Sequence, residues 1–344
     1  MSSLARAIES GDLAELPSRR DEDWHWTDLR GLIRVLPPAP KPFEGQLPAP
    51  WFEAFIEARI VNGDAPALIR VAPGEGQTAA LRIIAAGEAS AHVASARIEV
   101  AAGGRLTLFE TYEGLAEGAV AEADLEFVLG EGARLERIVL AEDVGDGVLV
   151  SRAEVTLAAG AAFAQTVVTS GAKRQRIETR VAHPGRGASA RLDGIYLLAG
   201  QQHADLTTVV THAGVGGTTQ QLTKGVVSGQ GRGVFQGRIV VAEGADQTDA
   251  RMGHHALLLS DRAEVDAKPE LEIFADDVAC AHGNTVGALD EDALFYAEQR
   301  GIPEPEARAM LTEAFVGEVV DLIAHERARE VVRAWVADRL GAVS

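Results

Sequence analysis

The chain has one cysteine in 344 residues, so it cannot form an internal disulfide or complete a Cys-rich zinc or iron–sulfur site from its own thiols. Aromatics are scarce at 5%, and the only lysines are Lys41, Lys173, Lys224 and Lys268. None of these follows a glycine, which excludes nucleotide hydrolysis by a Walker A loop. No run approaches the ~18 consecutive apolar residues of a spanning helix. The start, Met1-Ser2-Ser3-Leu4-Ala5-Arg6-Ala7-Ile8-Glu9, has neither an apolar signal core nor a cleavage pattern. The expectation is a cytoplasmic chain that does not enter a membrane. Positive charge is also short: 32 Lys+Arg against 51 Asp+Glu give a net charge of −19, which disfavours phosphate backbones and hence nucleic acid. There is no Gly-x-Ser-x-Gly elbow. His325-Glu326 has no second His four residues on, so a zincin helix is excluded.

What is present is a chain able to bury a core, 47% hydrophobic, with 36 glycines. It divides into three parts. Residues 1–90 read as a mixed, partly helical region. Leu4, Ile8, Leu13 and Leu16 suggest a short amphipathic start, and Trp51 to Ile60 a helix with Phe52, Phe55 and Ile56 on one side. Pro37 to Pro42 reads as an extended connector. Residues 91–287 carry short alternating runs such as Ala96-Arg97-Ile98-Glu99-Val100 and Gly237-Arg238-Ile239-Val240-Val241, bounded by Gly and Asp, which are strand signals. A repeat runs through them: Gly103, Gly132, Gly160 and Gly187 each open a turn into a strand, at offsets of 29, 28 and 27 residues. A near-constant all-strand period suggests stacked β-coils, a β-helix; a β-sandwich also recurs regularly and stays open on periodicity alone. Residues 288–344 switch to helix. Asp290 serves as an N-cap, Gly301 as a stop, and apolar stripes run through Met310–Ile323 and Val331–Leu340.

Gly185-Arg186-Gly187-Ala188-Ser189-Ala190 fits a loose dinucleotide fingerprint, but strand-like residues follow it where that fingerprint opens a helix. His254 and His255 are neighbours and would face opposite sides of a strand. The close soft-ligand pair is Cys280-Ala281-His282. On an extended chain both side chains project to one face, about 6.5–7 Å apart at Cα. Thiolate and imidazole suit iron or zinc. A buried thiol beside an ordinary histidine is the plainer alternative. Two donors cannot saturate a tetrahedral metal, so any centre here needs ligands from another chain.

The stretch 257–301, LLLSDRAEVDAKPELEIFADDVACAHGNTVGALDEDALFYAEQRG, resembles the C-terminal core of the SufB/SufD family of iron–sulfur assembly proteins. RRDEDWHWTDL at 19–29 and Val234-Phe235-Gln236-Gly237-Arg238-Ile239-Val240-Val241 fit the same family. The Cys-x-His-Gly block, and Ala297 where the SufB branch carries Cys, place the chain nearer the SufD branch. It departs from common members at Ala281, Asn284 and His254-His255. The resemblance implies a mainly β fold, a right-handed parallel β-helix between N- and C-terminal helical regions. It also implies a non-ATPase scaffold subunit, not an enzyme, in a complex with a SufB-like paralogue and a SufC-like ABC ATPase. His282, with Cys280 as the weaker candidate, would hold iron or a transient iron–sulfur cluster at the SufB interface. Leu294, Phe295, Tyr296, Met310, Leu311 and Phe315 would contact SufC. No nucleotide would bind to this chain, and any flavin of the complex has no place assigned. An isolated chain could pair with a second copy. Two other readings are a purely architectural subunit without metal ligation and a polysaccharide-acting β-helix enzyme. The second would use carboxylates such as Glu270 and Glu272, which share a face by parity.

Overall fold

The structure, a computed structural model, describes residues 2–343. Among them, seventeen strands run from β1 (Ile56–Val61) to β17 (Ala279–Gly287), numbered in chain order. The odd-numbered strands form one nine-stranded sheet and the even-numbered strands a second of eight, every neighbouring pair parallel. Consecutive strands alternate between sheets, so the chain winds as a β-solenoid of about 8 turns. The open choice between helix and sandwich is settled by the register: each strand pairs with the one two places on, as in Arg105↔Arg134 and Arg134↔Ala162.

The repeated glycines explain the period. Gly103, Gly132, Gly160 and Gly187 all have φ between 64° and 67°, a left-handed corner that costs a side-chain-bearing residue strain. Each donates its N–H to the next coil, as Gly132 does to the Ala159 carbonyl at 2.9 Å, so the corners hydrogen-bond as the strands do. The dinucleotide-like loop at 185–190 is one of these corners and leads into β11 (Ser189–Leu198), with no helix N-terminus to hold a phosphate.

The interior between the sheets is filled by Ala, Val, Leu and Ile with Phe127, Phe163, Tyr196 and Phe235. It also holds a fully buried ion pair. The Arg137 guanidinium donates to both Glu110 oxygens, at 2.8 and 2.5 Å, and to Gln165 Oε1 at 2.6 Å, beneath the Phe127 ring.

The stretch Trp51–Ile60 is not a helix. Phe52 is buried on the outer face of the nine-stranded sheet, stacked on Phe109 at 4.8 Å, whereas Phe55 is exposed and β1 begins at Ile56. The three apolar residues that suggested one helical face are shared between a loop anchor, an exposed ring and a strand.

The N-terminus forms α1 (Ser3–Ser10) and a strap across the outer face of the eight-stranded sheet. Leu4, Leu16, Leu29 and Ile33 pack on Ala91, Val120, Val148 and Val150. Farther along, Arg176 of β10 (Arg174–His183) lies over the Trp24 ring at 4.5 Å. Thr27 Oγ1 donates to Asp205 of β12 (His203–His212), Arg238 of β14 (Arg232–Val241) pairs with Asp23 at 3.4 Å, and Lys268 of β16 (Glu264–Ile273) pairs with Glu22 at 2.8 Å. The strap thus spans four coils, which gives the Trp24 segment a structural role.

Three helices close the chain: α2 (Glu291–Gln299), α3 (Glu304–Val320) and α4 (Glu326–Val343). Asp290 Oδ1 accepts from the N–H groups of Asp292 and Ala293, the N-cap read from the sequence. Val316, Val319, Val320 and Ile323, with Val332, Trp335, Val336 and Leu340, cover Phe109, Ile138, Leu140, Ile195, Leu197 and Val226 on the outer face of the nine-stranded sheet. The apolar stripes therefore pack mainly on their own chain. No helix among the described residues is long and apolar enough to cross a membrane.

Candidate functional site

The solenoid ends at β16 and β17, and no further strand among the described residues pairs with their outer edges. β17 stacks on β15 (Asp249–Leu258) in the register Ala250↔Cys280, Met252↔His282 and His254↔Asn284. Ala250, Met252 and His254 are buried interior side chains. A parallel ladder keeps side chains of one parity on one face, so Cys280, His282 and Asn284 form the next interior row. With no coil above, that row is uncovered: His282 and Asn284 are exposed and Cys280 half-buried against the core. The structure thus brings the two sequence-derived donors to the same face at the same end.

Their chemistry differs. Burial pushes the Cys280 thiol up, and the Asp249 carboxylate adds to this against a lowering hydrogen bond from the Ala250 backbone. A thiol so placed is protonated at neutral pH and must lose its proton to a metal before ligating. Among the described residues no protein group engages the His282 imidazole, which leaves its lone pair available. There is also no group of three or more His, Cys, Asp or Glu among them that could hold a metal ion. The donor types suit iron, and their number falls short of a closed centre.

Behind this row lies a hydrogen-bonded chain that sequence reasoning did not find. Tyr196 Oη meets His254 Nε2 at 2.8 Å, and His254 Nδ1 meets Asn284 Oδ1 at 2.6 Å. The His254 ring stacks on Phe235 with centroids 4.6 Å apart. Burial pulls the His254 pKa down to about 4, so the ring is neutral. His255 faces outward to Thr285, on the opposite side as strand parity requires. Asn284 could have been added by counting two residues on from His282. Tyr196 carries no such signal, because its partner lies 58 residues away.

The residues read as a SufC contact are divided. Phe295, Tyr296 and Met310 are exposed on α2 and α3. Leu294 is buried, Leu311 is half-buried, and Phe315 packs under α3 with the Lys224 ammonium 4.5 Å from its ring. Glu270 and Glu272 do share the outer face of β16, but Arg238 engages both, at 3.0 and 3.5 Å, and Lys268 also pairs with Glu270. They form part of the strap's ionic seat.

Comparison with known proteins adds a second line. The family model described as SUF system FeS cluster assembly, SufBD core domain, matches residues 83–315, which is most of the solenoid together with α2 and most of α3. The chain is 36% identical to the iron-sulfur cluster assembly protein SufD of Escherichia coli (strain K12) over 179 residues, 52% of this chain and 42% of that one. It is 32% identical to a SufBD family protein of Synechocystis over 198 residues, 58% of this chain and 44% of the relative. A third relative, a SufBD family protein of Mycobacterium bovis, is 26% identical over 96% of this chain and 90% of its own length. The chain thus spans less than half the length of the first two relatives.

Proposed function

Because the chain belongs to the SufBD family of SUF-system iron–sulfur cluster assembly proteins, and is of the SufD type, we propose that it is a scaffold subunit offering His282 to a nascent cluster. The observation that carries this reading is the interior row Cys280, His282, Asn284 left uncovered at the open end of the solenoid. A SufB-like paralogue whose own coils meet β16 and β17 edge to edge would cover that row and supply the missing ligands. The same edge would let an isolated chain pair with a second copy. Cys280 is the secondary donor. The cluster is cargo: this chain's residues bind and orient it, and no bond-making step is assigned to them. Energy would come from a SufC-like ATPase, since this chain lacks a Walker A loop. The compartment would be the cytoplasm, where a free thiol stays reduced.

The test is anaerobic coexpression with SufB-type and SufC-type partners, isolation through a tag on this chain, and assay of iron and sulfide. His282→Ala is expected to lower retained iron about tenfold or more with subunit stoichiometry unchanged. Equal iron in both would leave an architectural subunit without ligation.

The ATPase contact is proposed for the exposed apolar patch Phe295, Tyr296 and Met310. Replacing Phe295 and Met310 together with Asp is expected to strip the ATPase from the purified complex while the paralogue stays. Full ATPase recovery would move the contact elsewhere.

A further inference from the structure

The hydrogen-bonded chain behind the open end has a direction, and that direction fixes what Asn284 presents. Tyr196 Oη is fully buried, and His254 is its partner. If His254 carried its proton on Nε2 and donated it to Tyr196, the phenol hydrogen would be left buried without an acceptor, an arrangement that folded proteins avoid. The satisfied arrangement is the reverse. Tyr196 Oη–H donates to His254 Nε2 at 2.8 Å, so the imidazole carries its hydrogen on Nδ1 and donates it to Asn284 Oδ1 at 2.6 Å. The Asn284 oxygen is thereby turned inward, and the Nδ2 hydrogen anti to it is turned away from the core.

The phenol is held in place by its surroundings. β13 (Thr218–Val227) lies between β11 and β15, and its Gly225 sits beside Tyr196 in register. A Cβ at Gly225 would come within 2.0 Å of the Tyr196 ring, and one at Gly233 within 2.4 Å. The two glycines therefore form the notch through which the ring reaches past β13 to His254. Phe235 fixes the imidazole plane by stacking at an interplanar angle of 5°. Five residues on four strands thus converge on the orientation of one exposed amide, two positions from His282 and on the same face.

We propose that Tyr196 and His254 are positioning residues that hold the Asn284 amide with an Nδ2 hydrogen facing the open end, as a donor to an anionic sulfur of the cargo cluster bound at His282. This rests on the ligand role given to His282 above. Donors aimed at the sulfurs of an iron–sulfur cluster are among the levers by which a protein tunes its stability and potential.

The experiment has two arms. In the isolated full chain, labelled with nitrogen-15, the His254 ring should show a single Nδ1–H tautomer, and Tyr196→Phe should mix the two tautomers. A wild-type Nε2–H tautomer overturns the proposal whatever the cluster does. In the anaerobically purified complex, Asn284→Asp keeps the acceptor for His254 and removes the donors. It is expected to lower retained iron about tenfold, and Tyr196→Phe is expected to lower it in the same direction. Wild-type iron in Asn284→Asp beside a depleted His282→Ala overturns the donor role and leaves the ligand reading standing. Full iron in both overturns both.

Discussion

Replacing Arg137 with methionine is expected to lower the unfolding free energy by about 3–5 kcal/mol, because it leaves the Glu110 carboxylate buried and unpaired. Both side chains have no exposed surface, and the guanidinium satisfies both Glu110 oxygens and Gln165. The pair is not thereby a large net stabiliser, since removing two charges from water offsets most of their attraction. The prediction is therefore a difference between variants. Glu110→Leu alone should be about as damaging as Arg137→Met alone. The double variant should recover most of the loss, because two apolar side chains then replace two charges. Urea unfolding of the four proteins in a double-mutant cycle measures this. Single variants that each cost under about 1 kcal/mol would mean that water reaches the pair.

Mild acid is expected to unfold the chain. Burial holds His92, His203 and His212 at about 4 and His183 at about 3, against 6.5 for a free imidazole. The His183 and His212 rings lie tilted against each other with centroids 4.4 Å apart, so a charge on either also repels the other. Folded-state values below the unfolded value mean that unfolding takes up protons as soon as the pH drops under about 6.5. The stability associated with neutral histidines is complete above that pH and declines down to about 3–4. At pH 5 the loss is about 2 kcal/mol for each histidine, and four such losses are comparable with the whole stability of a domain. Asp193, which burial raises to about 7, works the other way, since acid relieves its buried charge. Burial raises Glu122 and Asp143 in the same direction as Asp193, and these carboxyls offset part of the imidazole loss, to which His254, held at about 4, also contributes. Urea midpoints measured from pH 8 to pH 5 should be level at first and then fall steeply, and His183→Leu should flatten the fall by about one proton. A midpoint that does not change over that range would mean the interior histidines are already solvated.

What could be read from the sequence follows from which constraints are local. A left-handed corner needs glycine at the corner itself, so Gly103, Gly132, Gly160 and Gly187 displayed the coil period directly. Strand parity is equally local, and it placed Cys280 and His282 on one face and separated His254 from His255. The Asp290 cap needed only its two following N–H groups. The misreading of Trp51–Ile60 arose because apolar spacing records burial without saying what buries the residue: Phe52 is covered by Phe109 and Ile56 by its own coil. Tyr196 was illegible as part of the end site for a related reason. Its contact with His254 depends on the register of three strands and on the space left at Gly225, and none of these can be read within a short window.

The strap also imposes an order of assembly. Asp23, Thr27 and Glu22 leave the ribosome well before their partners Arg176, Asp205, Arg238 and Lys268, which follow 153 to 246 residues later. Coils can stack on their neighbours as each is completed, but the segment made first must wait, with its tryptophan unpartnered, until four separate coils exist to receive it. Its docking is therefore a late event. It converts a row of nearest-neighbour contacts, which could otherwise fray coil by coil, into a unit whose distant turns are tied to one another by the strap.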